Sequence, residues 1–394
     1  MKILYFLTNY PYYSETFVAE EVKQLIAAKH DVVICNFTWY KKEQDNLDER
    51  VLNNTKNPFR LFASIFKNLV NGESLLFNGK SLKFIFSCVK KRPDFLVKYV
   101  YMLFSLDYMY SQIKNENFDI AISHFLFKST LAGRLLCEKL NKPYHIRLHT
   151  KRSLYPEHIL KDVLNSSQAI TAESKDVGDF YQQYLNQQYE IKVIRQSINL
   201  DKLSLIKGGA LTESKVNIIA IGRLVEKKGF EVLINAVAKC KEQIKNKIQL
   251  KIYGDGPLMD QLSNLIAENN LKSSIELMGM LEHTPLMKML AQADLLVVPS
   301  IELENDIDGV PTVIAEAMAV KTPVLATPIA GINEMVVDRE TGFVVSENNV
   351  NELSDTLTFL IDNESERSKV IDEAFSKVSK EYRLTLAEEI DNNY

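Results

Sequence analysis

The chain is sparing with the residues that build disulfide or metal scaffolds. It has four cysteines, Cys35, Cys88, Cys137 and Cys240, widely separated and never in a CxxC pair. That spacing indicates neither a disulfide framework nor a zinc site, and a reducing compartment suits it. The six histidines show no metal-ligand spacing; His145 and His149 flank a strand ending rather than share a helix face. No run of 18 apolar residues occurs, and the apolar start Met1–Leu7 is too short for a signal peptide, so the chain is expected in the cytoplasm. A net charge of −4 excludes a general attraction to nucleic acid or anionic lipid, so any basic patch must be local. The fingerprint Gly-x-Gly-x-x-Gly is missing, which argues against NAD or FAD.

What is present is ordinary globular material, with 46% apolar and 25% charged residues over 394 positions, enough for two domains. Short apolar runs alternate with helical patterns. Strands are expected at Lys2–Leu7, Asp31–Asn36, Phe118–Ile122, Tyr144–Leu148, Ala169–Thr171 and Glu190–Ile194, with helices over Glu15–Ala28 and Ser129–Leu140. A second series has strands near Val216–Ile221, Gln249–Tyr253, Ile275–Leu277, Leu295–Val298 and Val324–Ala326. Helices Phe230–Lys241, Leu258–Glu268, Pro285–Ala291 and Pro311–Val320 separate them. This alternation predicts an α/β protein with parallel sheets covered on both faces. The polar stretch Asn199–Lys215 reads as the linker. The expected division is therefore residues 1–200, residues 201–379, and a helical tail over 380–394 packing back on the first domain.

One region departs from the pattern. Residues 56–98 hold nine basic residues against two acidic ones, a local excess of +7 interleaved with Phe, Leu, Ile and Val. Such a stretch reads either as an interfacial helix at an anionic membrane surface or as a solvated helical hairpin on the first domain.

Ligands of parallel α/β sheets bind beyond the strand C-termini, so the loops there are the candidate sites. After Val216–Ile221 comes Gly222-Arg223-Leu224-Val225-Glu226-Lys227-Lys228-Gly229-Phe230. Two cations five residues apart at a helix start suit a diphosphate: Arg223 offers a bidentate fork and Lys228 a point charge. After Leu295–Val298 comes a loop rich in carboxylates (Glu302, Glu304, Asp306, Asp308), then Gly309, Val310, Pro311 and Thr312, with Glu316 eight residues beyond Asp308. Carboxylates at that spacing can accept from the hydroxyls of two sugar rings. Asp306-Ile307-Asp308 is also an Asp-x-Asp triplet, but its place before a helix of the second domain argues against a metal. Gly254-Asp255-Gly256-Pro257 reads as a tight turn with close backbone approach. His149 and His124 follow strands of the first domain and are expected to face the cleft, where an imidazole can donate to a sugar hydroxyl or steady developing charge.

Taken as a set, Gly222–Gly229, Gly254–Pro257 and Asp308–Ala319, with Thr322–Thr327 and Glu340–Val344, resemble glycosyltransferase family 4, retaining enzymes of GT-B fold. Tyr10–Phe17 resembles the opening of the colanic-acid and exopolysaccharide subgroup, and His124-Phe125 and Leu148-His149 fall where that family has its histidines. The resemblance implies two Rossmann-like domains facing each other across a central cleft. It implies that Arg223 and Lys228 hold the donor diphosphate, Glu316 the ribose, and Asp308 with Gly309–Thr312 the transferred sugar. Gly279, Met280 and Leu281 would meet the base, His149 the reacting sugar, and Ser14, Glu15, Thr16 and His124 the acceptor side. It further implies front-face attack assisted by the leaving phosphate, with no metal and no cofactor.

Three departures are visible. Asp308 replaces the family's usual glutamate, Arg195–Asn199 replaces the commoner Asn-Gly-Val-Asp, and Ser14-Glu15-Thr16 replaces a Gly-Gly loop. The expected activity is transfer of a hexose or N-acetylhexosamine from a nucleotide diphosphate sugar, a UDP-sugar first, to a glycan acceptor that is lipid-linked or capsular. Two alternatives rank lower: a sugar-nucleotide epimerase of the same fold, and a non-catalytic glycan-binding partner of a transferase.

Overall fold

The computed structural model describes residues 1–8, 10, 16–37, 50–55, 57–76, 78–91, 93, 96–151, 153, 155–185, 190–206, 215–303, 309–382 and 386–393. It divides into two compact units, Met1–Ile194 with Thr385–Tyr394, and Arg195–Leu384.

The first unit is built on seven parallel strands: β1 (Lys2–Leu7), β2 (Asp31–Asn36), β3 (Arg50–Asn53), β4 (Ile120–His124), β5 (Tyr144–Leu148), β6 (Ala169–Ala172) and β7 (Lys192–Val193). Their order is β3-β2-β1-β4-β5-β6-β7. Ile3 to Leu7 are all buried, as are all residues of β4 and β5. Strands covered on both faces need continuous apolar runs rather than alternation, which is why these segments stand out in the sequence. β3 does not stand out. It is a four-residue edge strand, half-buried and flanked by polar residues, paired only to β2 through Val33↔Arg50 to Asn36↔Asn53. The order reverses between β1 and β4, the place where such a sheet opens a crevice at its C-terminal edge.

The basic stretch folds into two helices, Pro58–Val70 and Gly79–Lys91, both packed on a third, Leu96–Ile113. Asp107 ties this layer together. Its buried carboxylate accepts from Asn68 Nδ2 (3.0 Å), Ser74 Oγ (3.0 Å) and the amides of Leu75 (3.2 Å) and Leu76 (2.9 Å). Leu61 and Ile65 fill the inner side of the first helix, while Phe59, Phe62, Phe66, Leu69 and Val70 are exposed on the outer side. The C-terminal helix Leu386–Asn393 sits in the first unit, with Leu386 and Ile390 buried among Phe17, Val18 and Val22.

The second unit has six parallel strands: β8 (Val216–Ile221), β9 (Ile248–Tyr253), β10 (Ile275–Gly279), β11 (Leu295–Val298), β12 (Val324–Ala326) and β13 (Phe343–Val344). They are ordered β10-β9-β8-β11-β12-β13, with the reversal between β8 and β11. The chain passes between units at 194/195, before the polar stretch read as a linker. Within that stretch Leu200–Ser204 is helical, capped by Asn199 and anchored by buried Leu203, and residues 207–214 lie outside the described set. The helix Ile371–Glu381 stays with the second unit, where Glu334 (2.8 Å) and Glu381 (3.1 Å) both pair with Arg195.

Candidate functional site

In the first unit the C-terminal ends of β4, β5 and β6 bring a set of charged side chains into the interior. His124 closes β4, His149 follows β5, and Glu173 follows β6. Glu21 comes from the Thr16–Ala27 helix, and Tyr5 and Arg147 from β1 and β5. His124 Nδ1 lies 2.9 Å from His149 Nε2, His124 Nε2 lies 3.0 Å from Glu21 Oε1, and His149 Nδ1 lies 3.0 Å from Glu173 Oε2. Tyr5 donates its hydroxyl to Glu21 Oε1 at 2.6 Å, and Arg147 Nε stands 3.0 Å from Glu21 Oε2. The imidazoles of His124 and His149 are stacked at 5.0 Å, and the rings of Phe17 (4.8 Å) and Phe125 (4.7 Å) close over His149.

Burial alone would raise the Glu21 carboxyl, but the charges of Arg147 and His124 and the hydrogen bonds it accepts bring it down to about 2. Burial pushes His149 well below its ordinary value, and the neighbouring His124 and Arg147 reinforce this. His145 is lowered to about 3, again by burial first and Arg147 second.

His149 is expected to donate to a sugar hydroxyl or steady developing charge, and the structure places its ring among protein groups. The ring is 2% exposed and both its nitrogens face protein groups. A hydroxyl reaches either nitrogen only by displacing His124 or Glu173. The structure does bring His124 and His149 together, which their 25-residue separation did not require. Glu21, Arg147 and Glu173 were not singled out in the sequence, yet they left a signal. Glu21 falls on the apolar stripe Phe17, Val18, Val22, Leu25, and Arg147 interrupts the apolar strand Tyr144–Leu148. A charge at a core position needs a partner. Ser14 and Glu15 lie outside the described residues, and Thr16 opens the helix.

In the second unit the turn after β8 is shaped by backbone contact. Residues 226–228 form a single 3-10 turn, Gly229 turns left-handed at φ +65°, and the helix Phe230–Lys239 begins. A Cβ on Gly229 would stand 1.9 Å from the Pro299 carbonyl oxygen, so this turn packs against the end of β11 across the strand-order reversal. Gly254, at φ +146°, would likewise place a Cβ 1.8 Å from the Gly222 carbonyl oxygen. The close approach expected of Gly254–Pro257 is therefore to the neighbouring loop of the protein. Together these glycines fix the path of Gly222–Gly229. Arg223 is exposed on it, and among the described residues no carboxylate pairs with it. Lys228 is half-buried with its stem running past Gly222, whose missing Cβ would meet Lys228 Cδ at 3.4 Å.

Beyond β11, Asp306 and Asp308 lie outside the described residues. The helix starts at Thr312, with Pro311 in the cap position rather than inside the first turn. Gly309, Pro311 and Thr312 are half-buried, Val310 is buried, and the Glu316 carboxylate is 10% exposed. Its Oε1 stands 2.7 Å from Nε2 of His283, a residue that carried no signal in the sequence. Gly279 ends β10 at φ +70° beside open space, followed by exposed Met280 and Leu281. Among the described residues no group of three His, Cys, Asp or Glu side chains could hold a metal ion.

The fold has known counterparts. The solved structure of Anabaena HepE in complex with UDP and glucose superposes with a TM-score of 0.73 at 17% identity, covering 100% of this chain and 98% of that one. Sucrose-phosphate synthase from Thermosynechococcus elongatus does so with a TM-score of 0.76 at 17% identity, covering 99% and 97%. Both share the fold of the GT-B glycosyltransferases. In sequence the chain is 29% identical to an uncharacterized glycosyltransferase of Methanocaldococcus jannaschii, over 68% of this chain and 73% of that protein. It is 27% identical to the amylovoran biosynthesis glycosyltransferase AmsK of Erwinia amylovora, over 68% of each. Against the putative colanic acid biosynthesis glycosyltransferase WcaL of Escherichia coli it is 32% identical, over 49% and 48%. The family model for Glycosyltransferase Family 4 matches residues 14–202, and that for glycosyl transferases group 1 matches residues 202–377. With the two models meeting end to end along the chain, it belongs to glycosyltransferase family 4 and is a glycosyltransferase.

Proposed function

We propose that the enzyme moves a hexose or N-acetylhexosamine, with retention, from a UDP-sugar to a glycan acceptor in exopolysaccharide, capsule or lipopolysaccharide-type biosynthesis. The observation that carries this reading is the Gly222–Gly229 turn. Two glycines with no room for a side chain hold it against neighbouring backbone, and it presents Arg223 and Lys228 beside a helix start. Fixed cations aimed at a leaving diphosphate stabilise charge as it develops, with no reorganisation at the moment of bond breaking. Glu316 takes the ribose, Gly279–Leu281 the base, and Asp308 with Gly309–Thr312 the sugar. His149 and His124 serve the transfer from the first unit as a hydrogen-bonded pair. The names of AmsK and WcaL support the pathway class, and the HepE complexes with UDP and with UDP-glucose support the nucleotide. No metal takes part in this proposal.

The acceptor in this reading is lipid-linked, and the enzyme works at the inner face of the cytoplasmic membrane. Among the described residues, ten of the seventeen exposed large apolar side chains lie between Phe59 and Val100, among exposed Arg60, Lys67, Lys83, Lys90 and Lys98. On the first helix they recur as Phe59, Phe62, Phe66 and Leu69, one stripe opposite the packed side. Aromatic residues beside lysines suit the boundary of an anionic bilayer. Among the described residues no helix is long and apolar enough to cross a membrane.

Thermal-shift titration with UDP, GDP, ADP and CMP in the presence of EDTA tests the donor site. UDP is expected to raise the melting temperature in the wild type and not in Arg223→Ala. No shift with any nucleotide would reject the reading.

A further inference from the structure

We propose that Glu21, His124, His149 and Glu173 form one buried chain holding three protons between them, and that Glu173 is the positioning residue that fixes the His149 ring. The second half of this proposal rests on the reading that His149 serves the transfer.

The chain has three links: Glu21 Oε1 to His124 Nε2 (3.0 Å), His124 Nδ1 to His149 Nε2 (2.9 Å), and His149 Nδ1 to Glu173 Oε2 (3.0 Å). Each link at that distance needs one proton, because two facing lone pairs repel. Two ionised carboxylates and two neutral imidazoles carry only two. The Glu21 end is fixed, since its carboxylate is ionised, accepts from the Tyr5 hydroxyl and faces the Arg147 guanidinium. His124 Nε2 therefore bears a hydrogen. One further proton must lie between the rings and one between His149 and Glu173. The third proton is extra, shared over His124, His149 and Glu173.

Charge compensation points the same way. The side chains of Glu21, His124, Arg147, His149 and Glu173 are each 2% exposed or less. A dry interior tolerates charges when they are compensated, and an extra proton on the chain offsets a carboxylate as the Arg147 guanidinium offsets Glu21. Two titratable groups that face the cluster stay neutral. Tyr5 is raised well above its ordinary value by burial and the Glu21 charge, and His145 is lowered to about 3. A fourth proton is resisted, since burial and the neighbouring His124 and Arg147 hold His149 well below its ordinary value. Moving each proton across its own link carries positive charge from one end of the chain to the other, with no proton gained or lost.

The count can be read from stability against pH. Above pH 7.5 the unfolded chain holds neutral imidazoles and ionised carboxylates, so unfolding releases the extra proton. The folded state then binds one more proton than the unfolded, and its stability falls as pH rises. Between pH 7.5 and 9 the unfolding constant is expected to rise tenfold more per pH unit in the wild type than in Glu173→Gln. That variant is isosteric, and its amide can donate to His149 Nδ1, closing the chain with two ring protons. Glu173→Asp keeps the charge and is expected to keep the slope. Equal slopes in wild type and Glu173→Gln would overturn the three-proton chain.

For the positioning role, Glu173→Gln is expected to lower kcat at least tenfold, to leave the donor KM unchanged, and to alter the pH profile of kcat. A changed stability slope with wild-type kcat and pH profile would overturn that role. UDP binding by the same variant tells this failure from failure of the donor reading, because a wrong donor site would show no UDP shift even in the wild type.

Discussion

Nε2 of His283 stands 2.7 Å from Oε1 of Glu316, so the carboxylate assigned to the donor ribose has a partner within its own unit. A ribose hydroxyl that donates to Oε1 competes with the imidazole for it. His283→Ala is expected to tighten UDP binding about fivefold, the equivalent of roughly 1 kcal/mol for one hydrogen bond no longer broken. The same variant should show no gain for an analogue lacking the ribose hydroxyls. Isothermal titration with both ligands checks this, and an equal gain for the analogue would count against the ribose assignment.

Arg223 and Lys228 should act on the diphosphate. Truncating either to alanine removes a charge-assisted hydrogen bond of about 1.5–3 kcal/mol, so kcat/KM is expected to fall roughly 10- to 150-fold. Wild-type turnover in both variants would place the diphosphate elsewhere.

The turn that carries them depends on its glycines. Gly229→Ala and Gly254→Ala would drive a Cβ to within 1.9 Å and 1.8 Å of a carbonyl oxygen, at backbone angles of +65° and +146°. Each is expected to lower stability by about 3 kcal/mol or more, measured by urea unfolding, and to weaken UDP binding in whatever fraction stays folded. Gly279→Ala meets open space but still has a positive φ, so a smaller loss is expected there.

Acid should weaken the first unit in two stages. His145 is held neutral down to about pH 3, so the unfolded chain takes up a proton below about 6.5 that the folded chain refuses, and stability falls as pH drops. Glu21, lowered to about 2, adds a second loss between about pH 4.5 and 2. Glu21→Gln leaves Arg147 buried without its carboxylate and is expected to cost about 3–5 kcal/mol at pH 7. It should also flatten the lower stage of the profile. An unchanged profile in this variant would mean that the carboxylate titrates normally in the folded protein.

The exposed stripe on Pro58–Val70 can be removed without touching the interior. Phe59 and Phe66 are 82% and 69% exposed, so Phe59→Ser with Phe66→Ser is expected to change stability by no more than about 0.5 kcal/mol. Co-sedimentation with anionic vesicles should drop at least tenfold, since each buried Phe side chain contributes roughly 1.5–3 kcal/mol. Vesicle binding by the double variant equal to wild type would separate this face from lipid.

Most of the sheet framework is legible in the amino-acid pattern, because a strand buried on both faces must be largely apolar. β1, β5, β8, β11 and β12 begin and end where the run does. Edge strands β3 and β13 escaped, being short and only partly buried, with little hydrophobic contrast to read. The Gly222–Gly229 turn was also legible, because Gly222, Arg223, Lys228 and Gly229 are neighbours in the chain and a local turn joins them. The basic stretch showed its charge and apolar content, while which face packs on the Leu96–Ile113 helix and which stays outside awaited the fold.

The partners of isolated charges emerge from the fold alone. Glu21, His124, Arg147, His149 and Glu173 come from one helix and the ends of three strands, spread over more than 150 residues, and Glu316 meets His283 from 33 positions away. Sequence shows that a charge at an apolar position must be neutralised. Which distant group does so is set by strand order, and strand order follows from how the helices cover the sheet rather than from any single segment. The same reason separates Gly254 from its apparent role: the carbonyl it must clear belongs to a neighbouring strand's loop, brought there by β8 lying next to β9.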